Sequence, residues 1–263
     1  MAGGLAALAA LAAAGCAVVA WPPSDPHHPT AADASAGHTP PAPRSPGPSA
    51  PAPSATASAS ARAEDPAPTR GSGADIPLKG PGTFVTAPGE SGEAGTGKVL
   101  RYRVEVENGI DVSAAGAAAQ VERILSDPRG WTADGHSAFR RVADGPTDFV
   151  VRIATPGTVD DICGQYGLDT GGEVNCSVDR NVMVNLKRWE QATPVYAHDV
   201  TAYRALIINH EVGHFLGHGH VTCPGKGKPA PAMMQQIKGM HGCVPNVWPY
   251  DTEGHLITGP SVP

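Results

Sequence analysis

The twelve residues from Asn209 to His220, NHEVGHFLGHGH, carry four histidines and one glutamate. Imidazole nitrogens are ligands for transition ions, and a carboxylate beside them can act as a base, so spacing decides what such a group can do. His210 and His214 are four residues apart. On an α-helix that interval stacks side chains one turn above the other, so both rings can aim at one point. Two protein ligands fall short of a catalytic zinc site, which takes three and leaves a further position to water. Gly217 lets the chain leave the helix through positive φ, and His220, three residues on, is placed to return to the same ion. Glu211 lies next to the first ligand and points along the cleft side, where it can hold a metal-bound water without joining the ligands. His218 stands at the wrong offset and is expected at the surface or behind the ligands.

The full pattern, His210-Glu211-x-x-His214-x-x-Gly217-x-x-His220, resembles the zinc-binding signature of the metzincin metallopeptidases. The resemblance implies His210, His214 and His220 as ligands of one catalytic Zn2+, Glu211 as general base, and a methionine under the site in a tight turn. Residues 229–236 (PAPAMMQQ) have the turn-forming side chains for it, with Met234 the first choice and Met233 the second. Beyond the motif, RYRVEVE, DPRGW, NHEVGH and GCVPNVWP look like an exported family of high-GC bacteria, a domain of unknown function in the zincin group, over about residues 97–249. That likeness implies the zincin fold and a zinc site, but no substrate. The implied chemistry is peptide-bond hydrolysis: zinc activates water, Glu211 accepts the proton and returns it to the leaving amine, and Tyr250 is a candidate to steady the oxyanion.

The elements that position the motif follow from periodicity. Residues 99–107 (VLRYRVEVE) alternate, with Leu100, Tyr102, Val104 and Val106 on one face and Arg101, Arg103, Glu105 and Glu107 on the other, which predicts a half-buried strand. Ser113 precedes a segment with Ala117, Val121, Ile124 and Leu125 at helical spacing, ended by Asp127-Pro128. Residues 139–142 and 148–154 read as two more strands joined through the turn signal Asp144-Gly145-Pro146, and 181–186 as a fourth. Thr201 or Asp199 can cap a helix from Ala202 to about Leu216 that carries the motif, with Tyr203, Ile207, His210 and His214 along one face. The fold class expected is α+β, a twisted zincin-like sheet backing one long active-site helix.

Composition divides the 263-residue chain. Residues 5–20 form an uncharged apolar run of sixteen, suited to an export signal or short membrane anchor, although no Lys or Arg precedes it. Ala14-Gly15-Cys16 resembles a lipidation site, but Ala13 stands where Leu or Val is usual. Residues 21–79 are rich in Pro, Ala, Ser and Thr, too poor in apolar side chains to fold, and are expected to be a tether. Residues 80–263 are enough for one domain with its own core. A net charge of −6 with no basic cluster excludes a nucleic-acid footprint. Cys163, Cys176, Cys223 and Cys243 contain no Cys-x-x-Cys pair. An even number in an exported chain favours disulfides, and of the three possible pairings the local one, 163 with 176 and 223 with 243, needs the fewest long-range coincidences. Asp160, Asp161 and Asp169 read as a solvated loop, and His136, His198, His241 and His255 as surface residues.

The expectation is therefore an extracytoplasmic zinc metallopeptidase, monomeric, secreted or held at the cell envelope or membrane, acting on a peptide or protein. Two other readings use the same residues: a catalytically silent zinc-containing binding module at the cell surface, and a zinc hydrolase of a non-peptide cell-wall amide. The intact Glu211 favours hydrolysis, since a module needing only the metal has no use for a base beside it.

Overall fold

Along residues 75–262, the part of the chain that the computed structural model describes, short runs of Val, Ile and Phe alternate with helical segments. The order is β1 (Phe84–Thr86), β2 (Ala94–Gly95), β3 (Lys98–Glu107), α1 (Ala114–Leu125), β4 (Ser137–Arg141), β5 (Phe149–Ala154), α2 (Pro156–Gly164), β6 (Cys176–Val178), β7 (Asn181–Asn185), α3 (Leu186–Gln191) and α4 (Val200–Phe215). The expected leader, Cys16 and the tether as far as residue 74 lie outside the described residues. Residues 75–79, placed in the tether by composition, join the fold. The Leu78 carbonyl accepts a hydrogen bond from Gly157 N at 2.8 Å, and Ile76 packs on the core.

The seven strands make one mixed sheet in the order β2-β4-β3-β5-β7-β6, with β1 also pairing β3. Strands β3, β4, β5 and β7 are parallel, whereas β1, β2 and β6 run antiparallel to their neighbours. The register explains the turn at Asp144-Gly145-Pro146. Strand β4 ends opposite Tyr102, and β5 begins opposite the same residue on the other edge of β3. The connection therefore crosses β3 without returning the length of a strand. It is fastened by Asp148 N to Arg101 O at 2.7 Å and by Arg101 N to Asp148 Oδ2 at 2.8 Å.

Helices cover both faces of the sheet. Val151, Ile153, Val182 and Val184 meet Leu125 of α1 and Ile208 and Val212 of α4 in the main core. On the opposite face Ala154 and Met183 meet Val159 and Cys163 of α2. Burial on both faces is why β5 and β7 read as almost continuous apolar runs.

Two sequence expectations are corrected here. Glu105 and Glu107, assigned to a solvated face of β3, are buried, because the start of α2 and the segment around Gly82 cover that end. Glu107 accepts hydrogen bonds from Gly82 N, Thr155 N, Thr155 Oγ1 and Thr158 Oγ1 at 2.6–2.9 Å. Glu105 meets Arg152 at 2.8 Å. Four donors let Glu107 sit there, and the Arg152 guanidinium offsets the charge of Glu105. Asp160 and Asp161 belong to α2, not to a solvated loop: Pro156 at the first turn starts a helix that looks like a turn in sequence. Asp160 accepts from Thr170 Oγ1 and from Gly172 N, tying the following loop down.

Cys163 is bonded to Cys176, and Cys223 to Cys243. Two disulfides fit an extracellular protein. Among the described residues no helix is long and apolar enough to cross a membrane.

Candidate metal centre

Helix α4 begins at Asp199, whose side chain accepts from Ala202 N at 2.8 Å, a cap that satisfies one of the free amides of the first turn. From Ala205 to Gly213 every residue except His210 is buried, so packing against β6, β7, α1 and α3 fixes the helix from most sides. Gly213 is small for a reason: a Cβ there would overlap Met233 Sδ and stand 2.7 Å from Trp131 Cζ2. The helix ends as its glycine requires. Gly217, at φ 94°, donates to His214 O at 2.9 Å and His218 donates to Gly213 O at 2.9 Å. This paired closure reverses the chain towards His220.

Three imidazoles converge beyond that turn. His214 Nε2 lies 3.2 Å from His210 Nε2 and 3.1 Å from His220 Nε2. Two of the rings are oriented through their other nitrogen: His210 Nδ1 meets Ala232 O at 2.8 Å and His214 Nδ1 meets His218 O at 2.9 Å. A carbonyl can only accept, so each Nδ1 carries the proton and each Nε2 presents a lone pair. Burial, then the neighbouring His214, push His210 down to about 3, and burial also lowers His214 and His220. The rings are therefore neutral near pH 7, and the facing Nε2 atoms of His210 and His214 both present lone pairs. Nitrogens at about 2.0–2.1 Å from one tetrahedral ion stand roughly 3.3–3.4 Å apart, close to the separations found here. The cluster could hold a metal ion, and its all-imidazole donor set suits a first-row transition ion better than magnesium or calcium.

Glu211 faces the cavity that the three histidines border and is only 4% exposed. Burial pushes its carboxyl up to about 8, so it holds a proton more firmly than an ordinary glutamate. The cavity measures about 490 Å³. Tyr203, Leu206 and Ile207 form its α4 wall, Cys176 and Ser177 its β6 wall, and Leu168, Thr170 and Val174 come from the loop closed by the Cys163–Cys176 bond. Burial pushes the Tyr203 hydroxyl up to about 12, so it lines the wall uncharged. Strand β6 is the end of the sheet order, leaving its outer edge beside the cavity.

Met234 lines this cavity with the histidines, while Met233 sits behind α4 among Gly213 and Trp131. The segment is a turn, with Met234 N donating to Pro231 O at 3.0 Å. Tyr250 is not in the cavity: it is buried edge-on against Trp131, with its hydroxyl donating to Asp134 at 3.1 Å. His218 contributes its carbonyl, and its ring stacks on Trp131 at 4.3 Å. Asp169 lines the cavity. His136, His198, His241 and His255 are exposed, and His255 pairs with Asp251.

Sequence reasoning gave no role to Trp131, Gly213 or the Ala232 carbonyl. Trp131 Nε1 donates to Asn209 O at 2.8 Å, fastening α4 just before the first histidine. Its only signal was the DPRGW stretch. Gly213 was detectable as a glycine inside a helix pattern, which usually marks close packing.

Fold and site together define a disulfide-bonded α+β domain with a three-histidine centre in an open cavity. The chain belongs to the family described as protein of unknown function (DUF3152), whose model matches residues 70–251. No match is found among curated proteins or among solved structures.

Proposed function

We propose that this chain is an exported zinc-dependent metallopeptidase of metzincin-like, zincin type, with His210, His214 and His220 as zinc ligands and Glu211 as general base. The observation that carries the reading is a buried carboxylate lining the same open cavity as three imidazoles whose Nε2 atoms converge. A site that only stored a metal would gain nothing from a costly buried acid next to it. Zinc supplies Lewis acidity, which acidifies water and polarises a carbonyl group.

The chain's own residues do the rest. Glu211, whose burial raises its proton affinity, accepts the proton of the attacking water at a carboxylate oxygen and returns it to the leaving amine. The Ala232 and His218 carbonyls hold two of the ligand rings in one tautomer. Among the described residues no strand pairs with the outer edge of β6 beside the cavity, which suits an extended peptide pairing there as an added strand. Met234 lines the same cavity as the three histidines, which supports its reading as the turn methionine of the metzincin likeness.

The test is cleavage of a mixed peptide library by the purified chain, with zinc content measured alongside Glu211→Ala. Wild-type cleavage and a loss of about 10²–10⁴-fold in the variant with zinc retained are expected. A wild type that holds zinc and cuts no peptide removes the peptidase reading and leaves a binding module or a hydrolase of another amide.

A further inference from the structure

His220 is the ligand that helix geometry does not fix. His210 and His214 share α4 and each has a ring nitrogen tied to a carbonyl. His220 lies beyond the helix between Gly219 and Val221, and among the described residues its ring has no such anchor. Its main chain must hold it, and that main chain is held from two sides. Val221 N donates to Met233 O at 3.2 Å on one side. On the other, residues 260–262 run antiparallel to it: Thr222 N donates to Pro260 O at 2.8 Å, Val262 N donates to His220 O at 3.1 Å, and Val221 bridges Ser261.

The strap made by residues 256–262 is itself rooted. Ile257 N donates to Pro249 O at 2.7 Å, and Leu256 bridges Tyr250, whose backbone N donates to Arg129 O at 3.1 Å. Close approach is built in at Gly259, where any Cβ would overlap the Thr222 carbonyl. Glycine is therefore the residue that allows the strap to lie against the ligand loop. The strap lies beyond residue 251, where the family match ends.

We infer that residues 256–262 are a positioning strap for the metal centre, fixing the third ligand, His220, by pairing with its backbone. The inference rests on reading the three histidines as a metal site. Removing the strap leaves His210 and His214 in place and lets His220 drift, so metal binding falls towards that of a two-histidine site.

The experiment measures Zn2+ affinity by competition with a chromophoric chelator, and the visible absorption of the Co2+-loaded protein. It compares the full chain with a truncation after Gly254, with Gly259→Val, with His220→Ala, and with the truncation combined with His220→Ala. Truncation and Gly259→Val should each weaken Zn2+ binding by about 10–100-fold, the range for losing a group that orients a metal ligand. The truncation should add nothing in the His220→Ala background, and it should shift the Co2+ bands towards those of His220→Ala. Unchanged affinity in truncated protein that keeps its far-UV circular dichroism overturns the inference. So does an equal further loss in the His220→Ala background, or unfolding of both strap variants, which would make the strap a general core element. Failure of the wild-type chain to bind Zn2+ overturns the metal reading itself, and is distinct because all variants then behave alike.

Discussion

Replacing Gly213 by alanine sets two effects of known size against each other. In an exposed helix interior the change is favourable by about 1 kcal/mol, because glycine loses more backbone freedom on folding. Here the new Cβ would overlap Met233 Sδ and stand 2.7 Å from Trp131 Cζ2. The methionine side chain can bend away, but Trp131 cannot: it is 2% exposed and its Nε1 is tied to Asn209 O at 2.8 Å. Overpacking against so fixed a neighbour costs about 2–3 kcal/mol, the upper part of the range for added methylenes. The net loss is then about 1–2 kcal/mol. For a domain of this size each kcal/mol moves Tm by roughly 2–4 °C, so the variant should melt about 2–8 °C below the parent. Thermal unfolding followed by far-UV circular dichroism in excess chelator measures this without any contribution from bound metal. A variant melting above the parent would refute the reasoning, since helix propensity would then outweigh the packing of α4 on Trp131.

Three further outcomes are expected. Burial pushes the Asp127 carboxyl up, but its hydrogen bonds from Arg129 and that residue's charge outweigh it and hold it below the usual range. The stability it contributes is therefore present above the unfolded-state value near about 4 and lost as pH falls through the folded value. Urea titration should find Asp127→Asn less stable than the parent at pH 7, with the gap closing in acid; a gap independent of pH would contradict the assignment. Breaking Cys163–Cys176, which spans 13 residues, with a double serine substitution should cost about 3 kcal/mol on the loop-entropy model, read as a lowered denaturation midpoint. Glu107→Gln places an amide donor among four groups that donate. It should lower the unfolding free energy by about 1–3 kcal/mol, and a neutral result would mean that the cluster rearranges.

What the sequence disclosed was what local spacing can encode. His210, His214, Gly217 and His220 fall within eleven residues, and helix periodicity followed by one glycine turn is enough to make three rings converge. Strands β3, β5 and β7 showed in their apolar patterns, and the cysteines pair with their nearest neighbours along the chain. Strands β1, β2 and β6 have two or three residues each, too few for alternation to register. They exist because a neighbouring strand offers them hydrogen bonds. Helix α2 was hidden by its opening Pro156-Gly157, residues that also punctuate loops. The supports of the centre were least legible. Trp131 reaches Asn209 across 78 positions, and residues 260–262 reach His220 by backbone atoms whose pairing leaves no mark on side-chain type.

The loop between Cys163 and Cys176 supplies a wall of the cavity yet leaves and re-enters the fold at two points 6.5 Å apart, measured between α-carbons. A segment whose ends are clamped that closely behaves as a cassette. Thr170 and Gly172 are tied to Asp160, and Gly172 and Asn175 to Asn185 at the end of β7, so the part that can be exchanged without disturbing the sheet is the stretch from Gln165 to Asp169. Leu168 and Asp169 of that stretch line the cavity, so grafting a foreign sequence there is the direct route to changing what the cavity admits while leaving the three histidines in place.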